Sequence, residues 1–92
     1  MTFEFDPSKV RANLRKHGVS FSHAEQALRD PMAFTIADPD SQRELRVVTL
    51  GVTLGVDALG RVLVVVPSQR EQRTRLISAR KASRGEADRY HA

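Results

Sequence analysis

A near-continuous apolar run, RVLVVVP at residues 61–67, limits the folds open to this chain more than any other feature. Valine-rich runs of this length are typical of strands that are buried on both faces of a sheet. The chain has 92 residues, which is near the size at which a single core is just sufficient. We therefore expect residues 1–92 to form one domain that covers this strand.

Two helices are predicted before the strand-rich middle of the chain. The first runs from Pro7 to about Lys16, and Gly18 is a suitable left-handed stop after it. The second runs from about Phe21 to Arg29, with a serine at position 20 or 22 as its N-cap. Both helices precede most of the strands, which is a helix-then-strand order.

Strands are predicted at 3–5, 33–38, 43–52, 61–67 and 73–79, with a hairpin loop at 53–60. Ser83 and Glu86 have the spacing of a capping box, so a short last helix is expected to reach Tyr90. The order is β-α-α-β-β-β-β-α. It predicts an α+β fold: a small antiparallel sheet with two N-terminal helices and a short C-terminal helix, the helices on one face.

The positive charge is concentrated near the end of the chain. The formal net charge is +4, and arginine supplies all the cations except Lys9, Lys16 and Lys81. Arginine favours planar, bidentate contact with phosphate, although a GC-rich genome, which encodes arginine often, would give the same composition. Glu71 is the one acidic residue between Arg70 and Arg84. An anionic partner is therefore one of two open explanations.

The last strand shows how these cations can be arranged. Alternation along a strand places Arg73, Arg75 and Ile77 on one face and Thr74, Leu76 and Ser78 on the other. The two arginines would then be about 7 Å apart, near the spacing of adjacent phosphates. Arg80 and Lys81 extend the charge towards the N-terminus of the last helix, which also favours an anion. The alternative is a solvated edge strand kept soluble by its charge.

Other polar residues allow both a structural and a chemical interpretation. Glu44 and Arg46 share a strand face, either as a surface ion pair or as a base beside a cation. His17 follows the apolar side of the first helix, either packed or as a general acid or base. Tyr90 either packs on the fold or contacts phosphate.

Several classes of function lack their sequence signals. The chain has no cysteine, no phosphate-binding glycine loop, no nucleophile elbow and no zinc-ligand spacing, so we expect no cofactor and no metal. No apolar run approaches the roughly 20 residues of a membrane span, so we expect a cytoplasmic protein with no membrane contact. A basic domain of this kind can still cleave RNA, because the 2′-hydroxyl is an internal nucleophile.

Two motifs together resemble a known family. The first is N-x-x-KHGVSF from Asn13 to Phe21, and the second is R-x-ISARKA-x-x-x-E-x-x-x-Y from Arg75 to Tyr90. With FEFDPSKVR, RELR and GRVLVVV they are similar to the BrnT family of ribonuclease toxins, over residues 3–90. The resemblance implies a RelE-like fold and an endoribonuclease of a type II toxin–antitoxin system that inhibits translation. It also implies a BrnA-type antitoxin as partner, through which the complex binds operator DNA and represses its own operon.

The resemblance also implies a set of site residues. The recurrent polar residues of the family fall on Lys9, His17, Glu44, Arg46, Arg75, Arg80 and Tyr90. Phe5 stands where the family commonly has tryptophan, and PSQR at 67–70 leaves Arg70 as the only match in that loop. This second departure favours an alternative: a catalytically degenerate module that only binds its antitoxin and contributes to operator binding.

We therefore predict two groups of functional residues. The catalytic group is His17, Glu44, Arg46, Arg75 and Arg80. The group that binds RNA phosphates is Lys9, Arg70, Arg73, Lys81 and Tyr90. Glu86 is expected to be a helix cap and not a catalyst. The antitoxin is expected to mask Arg75 and Arg80 when it neutralises the toxin.

Overall fold

The computed structural model describes residues 3–4, 6–36, 52–70 and 73–92. Their elements are β1 (Phe3–Glu4), α1 (Pro7–His17), α2 (Phe21–Leu28), β2 (Phe34–Ile36), β3 (Val52–Val56), β4 (Val62–Arg70), β5 (Arg73–Lys81) and α3 (Arg84–His91). This order confirms the predicted β-α-α-β-β-β-β-α arrangement and the α+β class. The described helices include none with the length and apolarity to cross a membrane.

The described strands form one sheet in the order β1-β5-β4-β3-β2. Strands β2 to β5 pair antiparallel with their neighbours, as predicted. The short β1 differs, because it pairs parallel with β5, with Phe3 opposite Thr74 and Glu4 opposite Arg75. A parallel pair needs a long crossover connection, and nearly the whole chain supplies it here.

The helix boundaries follow from their caps. Asp6 caps α1, since its side chain accepts a hydrogen bond from the Ser8 backbone N–H. Gly18 ends α1 in the left-handed region at φ 69°, as predicted. Ser20, one of the two predicted serines, caps α2, and Ser83 with Glu86 forms the predicted capping box of α3.

The predicted hairpin loop at 53–60 is wrong in its first half. Residues 53–56 belong to β3, and the connection to β4 spans only residues 57–61. Asp57 and Gly60, which indicate a loop, both lie in that connection, whereas Gly55 belongs to the strand and admits a helix. A Cβ built on Gly55 would lie 2.0 Å from the carbonyl oxygen of Ala27, so only glycine lets α2 approach β3 this closely. Most of the predicted strand at 43–52 lies outside the described residues.

Asp57 organises the connection between β3 and β4. This buried carboxylate accepts hydrogen bonds from the backbone N–H groups of Leu59 and Arg61 and from the Arg61 side chain. Burial raises the pKa of Asp57, but these hydrogen bonds outweigh it and keep the pKa below its usual range. The Asp57 carboxylate also lies 3.1 Å from Nδ1 of His23. The backbone N–H of Ala58 donates to Oε1 of Gln26 at 2.9 Å, which ties α2 to the turn.

Helices α1 and α2 cover one face of the sheet. The core there consists of Val19, Phe21, Ala24, Ala27, Leu63, Val65, Leu76 and Ala79, with Val10 and Leu28 packed against it. Alternate residues of β4 thus point into this core, while Val64, between them, is buried under the opposite face. Burial on both faces of β4 confirms the interpretation of the apolar run.

Helix α3 lies against the opposite face, so the expectation of helices on one face is wrong. The register places Phe34, Leu54, Val64 and Arg80 in one row across β2, β3, β4 and β5. Tyr90 of α3 stacks on Phe34 at one end of this row, with ring centroids 6.5 Å apart. Glu86 of α3 pairs with Arg80 at the other end. The physical reason is the apolar β4, which needs cover on both faces.

Candidate functional site

Strand β5 contains a β-bulge at Ile77. Val66 of β4 pairs with Ser78, but the next residue, Pro67, pairs with Leu76, so Ile77 is an extra residue. Leu76 and Ala79 consequently both reach the core, although they are three residues apart. The predicted strict alternation, with Leu76 and Ser78 on one face, is therefore wrong beyond Leu76.

The bulge places Arg75 and Arg80 on the same face of the sheet. Arg75 pairs with position 68 of β4, and Arg80 pairs with position 64. These positions are four residues apart in a regular strand, so they belong to one face. Without the extra residue, a spacing of five would put the two arginines on opposite faces. Both are exposed, as a site for an anion requires.

Arg80 is held by Glu86 of α3. Its two terminal nitrogens donate to the two carboxylate oxygens at 2.7 and 2.8 Å. Glu86 also accepts from the Ser83 backbone N–H at 2.8 Å, which completes the capping box. The hydrogen bonds from Arg80 lower the pKa of Glu86 to about 2, despite its partial burial. The same pair raises the pKa of Arg80. Glu86 is thus the predicted cap, and it also neutralises Arg80.

Tyr90 anchors the other end of α3. Its hydroxyl donates a hydrogen bond to the carboxylate of Asp30. Asp30 also accepts from the backbone N–H groups of Met32 and Val56, each at 2.9 Å. The Tyr90 hydrogen bond lowers the pKa of Asp30 and raises that of Tyr90. In this structure Tyr90 is used to pack α3 on the sheet.

The second feature of β5 is a groove on its α1 side. The lining residues are Lys9, Ala12, Asn13, Lys16 and His17 of α1 and Ile77 of β5. We call this cavity, of about 180 Å³, the α1–β5 groove. It brings together the predicted Lys9 and His17 and adds Lys16, which was not predicted. Its α1 residues follow the i, i+3, i+4, i+7, i+8 spacing of one helix face, a signal that could have found Lys16.

Asn13 fixes α1 beside β5. Its Nδ2 donates to the carbonyl oxygens of Val19 and Ala79 at 2.8 and 2.9 Å. Its Oδ1 accepts from the Ala79 N–H at 3.0 Å. The buried carboxamide therefore pairs with the edge of β5 as a neighbouring strand would. This pairing sets the distance between the groove's two walls.

The remaining predicted residues are distributed as follows. Lys81 is exposed at the end of β5, opposite Leu63 in β4. Arg70 and Arg73 pair with each other at the adjoining ends of β4 and β5, where the structure describes their backbone but not their side chains. Glu44 and Arg46 lie outside the described residues. Within the described ranges, no group of three histidine, aspartate or glutamate residues is placed to hold a metal ion.

Comparisons with known proteins identify relatives over most of the chain. A family model described as the ribonuclease toxin BrnT of type II toxin–antitoxin systems matches residues 5–86. The crystal structure of the Brucella abortus ribonuclease toxin BrnT superposes with a TM-score of 0.65 and 22% sequence identity. That alignment covers 91% of this chain and 99% of the Brucella chain, so the two share a fold. No curated protein sequence matches.

Proposed function

Because the chain belongs to the BrnT family of ribonuclease toxins of type II toxin–antitoxin systems, we propose that it is itself an endoribonuclease. It inhibits translation by cleaving RNA in the cytoplasm, without a metal ion. The observation that carries this proposal is the convergence of cations on both sides of one strand. Lys9, Lys16 and His17 line the groove beside Ile77, and Arg75 stands two residues away on β5.

The reaction proposed is attack by a 2′-hydroxyl on the adjacent phosphorus. The 2′-oxygen forms the new bond, the bond to the 5′-oxygen breaks, and the products are a 2′,3′-cyclic phosphate and a 5′-hydroxyl. The 2′-hydroxyl gives up a proton and the leaving oxygen takes one. His17 and Glu44 are the proposed proton acceptor and donor, in an order that the reaction's pH profile would assign.

Cations supply the rest of the proposed mechanism. Negative charge builds up on the phosphate oxygens in the transition state, and fixed cations stabilise it more than they stabilise the substrate. Arg46, Arg75 and Arg80 are assigned to this phosphate. Glu86 competes with the phosphate for Arg80, because it occupies both terminal nitrogens of the guanidinium. The residues assigned to the flanking phosphates are Lys9, Arg70, Arg73 and Lys81. Tyr90, which the sequence predicts for this group, donates its hydroxyl to Asp30 instead.

The partner proposed is a BrnA-type antitoxin. The family is one of toxin–antitoxin systems, which supports an antitoxin as partner. An acidic segment of that partner placed over Arg75 and Arg80 would neutralise the toxin by masking its phosphate site. The complex would then repress its own operon through the DNA-binding part of the antitoxin. A complex that left both arginines open to solvent would contradict the masking.

The test is cleavage of a single-stranded RNA by the purified protein in EDTA. We expect fragments that end in a cyclic phosphate, and no cleavage where the nucleotide before the scissile bond lacks its 2′-hydroxyl. Arg75→Ala should abolish cleavage, while Arg11→Ala, which removes an exposed arginine of α1 outside the groove, should not. Intact RNA would contradict the proposal. If the complex with antitoxin still bound its operator, the degenerate binding module would take its place.

A further inference from the structure

We propose that the α1–β5 groove is the binding site for one base of a single-stranded RNA substrate, and that Ile77 and Ala12 determine which base is accepted. This inference rests on the proposed ribonuclease function and deepens it, because it assigns a sequence-reading role to residues outside the predicted site. Of the groove's six lining residues, only Lys9 and His17 belong to the predicted functional set.

The size of the groove selects a single ring system. Its volume of about 180 Å³ is below the ~300–1,000 Å³ of pockets that enclose a whole small molecule. A planar base can enter, while its sugar and phosphates stay outside at the rim. A duplex keeps its bases stacked and paired, so only an unpaired nucleotide can be bound this way.

The walls of the groove suit the two faces of a base. Ile77 and Ala12 offer apolar surface, and the half-buried His17 offers an imidazole ring on which a base can stack. The bulge supplies Ile77, because the extra residue of β5 is the one that lines the groove. Bulges often re-aim a side chain beside a functional site.

The rim of the groove suits the phosphates on either side of that base. Lys9 and Lys16 are two helical turns apart, about 10 Å along the α1 axis. Both are exposed, and neither forms an ion pair with another described residue, although the charge of Lys9 helps to lower the pKa of Asp6. Their flexible stems allow the two ammonium groups to approach the phosphates that precede and follow one nucleotide.

The first experiment tests the rim with a matched pair of double variants. Lys9→Gln with Lys16→Gln removes two cations that line the groove, and Arg11→Gln with Arg15→Gln removes two exposed cations of the same helix that do not. We expect kcat/KM for RNA cleavage to fall about tenfold or more in the first pair, equally for all sequences. The second pair should fall less than about threefold. Equal losses in both would overturn the groove as the binding site and leave only a general charge effect.

The second experiment tests the apolar wall of the groove by changing its shape. Ile77→Ala widens the groove, and Leu14→Ala trims an exposed apolar residue of the same helix that does not line it. Cleavage is measured on a set of oligonucleotides that differ at one position at a time around the scissile bond. We expect Ile77→Ala to alter base preference at a single position and Leu14→Ala to leave every preference unchanged. A folded Ile77→Ala protein with unaltered preferences would refute the assignment.

The same variants separate the inference from the proposed function. Binding of a fluorescent single-stranded oligonucleotide that lacks 2′-hydroxyls is measured by anisotropy, which requires no cleavage. If the protein cuts no RNA, the ribonuclease proposal fails, but the groove still predicts weaker binding in the lysine pair than in the arginine pair. If the protein cuts RNA and the two pairs behave alike in both assays, the groove assignment fails alone.

Discussion

Helices α1 and α3 are both attached to β5, but by opposite means. Asn13 of α1 is buried and joins Ala79 of β5 through neutral hydrogen bonds in both directions. Glu86 of α3 joins Arg80 through an ion pair whose side chains are 25% and 45% exposed. Salt and pH act on charged groups that water can reach. We therefore expect the Asn13–Ala79 attachment of α1 to be insensitive to both conditions, and the Glu86–Arg80 attachment of α3 to be sensitive to both.

The two attachments also leave different charges available. The groove beside α1 holds Lys9 and Lys16, which form no ion pair with any described residue. The α3 side holds Arg80, whose charge is already compensated by Glu86. A count of arginines near the end of the chain therefore overestimates the positive charge that α3 leaves open to RNA.

The largest effect is expected on RNA cleavage, when the variant Arg80→Ala is compared with the variant Glu86→Gln. Both changes break the Arg80–Glu86 contact that holds one end of α3, but only the first removes a cation from the proposed phosphate site. We expect kcat to fall about 100–1,000-fold in Arg80→Ala, the usual loss for one transition-state donor. Glu86→Gln should keep or increase activity, because it frees Arg80. Equal losses would show that Arg80 acts only by holding α3.

The second-largest effect is expected on the stability of the fold, from the substitution Asn13→Ala. The change leaves the N–H and C=O of Ala79 at the sheet edge without their partner, which costs about 2–4 kcal/mol of unfolding free energy. Urea unfolding measures it, and the cost should be the same at low and high salt and between about pH 5 and 8. Asn13→Asp, which keeps an acceptor but not the donors, should also destabilise the protein. A loss that varied with salt would contradict the neutral attachment.

A smaller effect is expected from Glu86→Gln on stability. The folded pKa of Glu86 is about 2, below the 4.5 of the free side chain. The carboxylate therefore stabilises the fold above about pH 4.5, and this contribution is lost as the pH falls towards 2. Because Arg80 is substantially exposed, screening reduces the contribution to about 1 kcal/mol.

Urea unfolding of the wild type and Glu86→Gln across this pH range measures that contribution. Their free energies of unfolding should differ at pH 7 and converge near pH 2, and high salt should narrow the difference at pH 7. Asp30 and Asp57 also have lowered pKa values, but they are common to both proteins and cancel in the comparison. A difference that persisted at pH 2 would assign the effect to the capping geometry instead of the charge.

The smallest effect is expected from Tyr90→Phe. The change removes the hydrogen bond to Asp30 but keeps a ring that can stack on Phe34. The melting temperature should fall by less than in Glu86→Gln, and RNA cleavage should be unchanged if Tyr90 only packs α3. A loss of cleavage in a protein of wild-type stability would instead restore Tyr90 to the predicted phosphate site.

The order of elements could be predicted because local signals determine it. Gly18 and the Ser83–Glu86 capping box mark helix ends through backbone conformation and short-range hydrogen bonds. The valine-rich sequence of β4 predicts, from its composition alone, that this strand is buried on both faces. These features depend on neighbouring residues, which the sequence displays directly.

The errors arose where distant residues decide the structure. The close approach of α2 explains the glycine at position 55 of β3, and the pairing of β5 with the distant β4 makes Ile77 an extra residue. The same bulge brings Arg75 and Arg80 to one face, which strict alternation does not allow. Placement of α3 on the opposite face likewise depends on Asp30 and Phe34, far away in the chain.

The most direct test of the central claim, that RNA binds on the α1 side of β5, is a chemical-shift map. Isotope-labelled protein is titrated with a single-stranded oligonucleotide without 2′-hydroxyls, which can bind but cannot be cleaved. We predict that the perturbed amides cluster at Lys9, Ala12, Lys16, His17 and Ile77, while those of Thr35 and Ile36 in β2, at the other edge of the sheet, stay unchanged. Perturbations centred on α3, with the groove residues unaffected, would contradict the account.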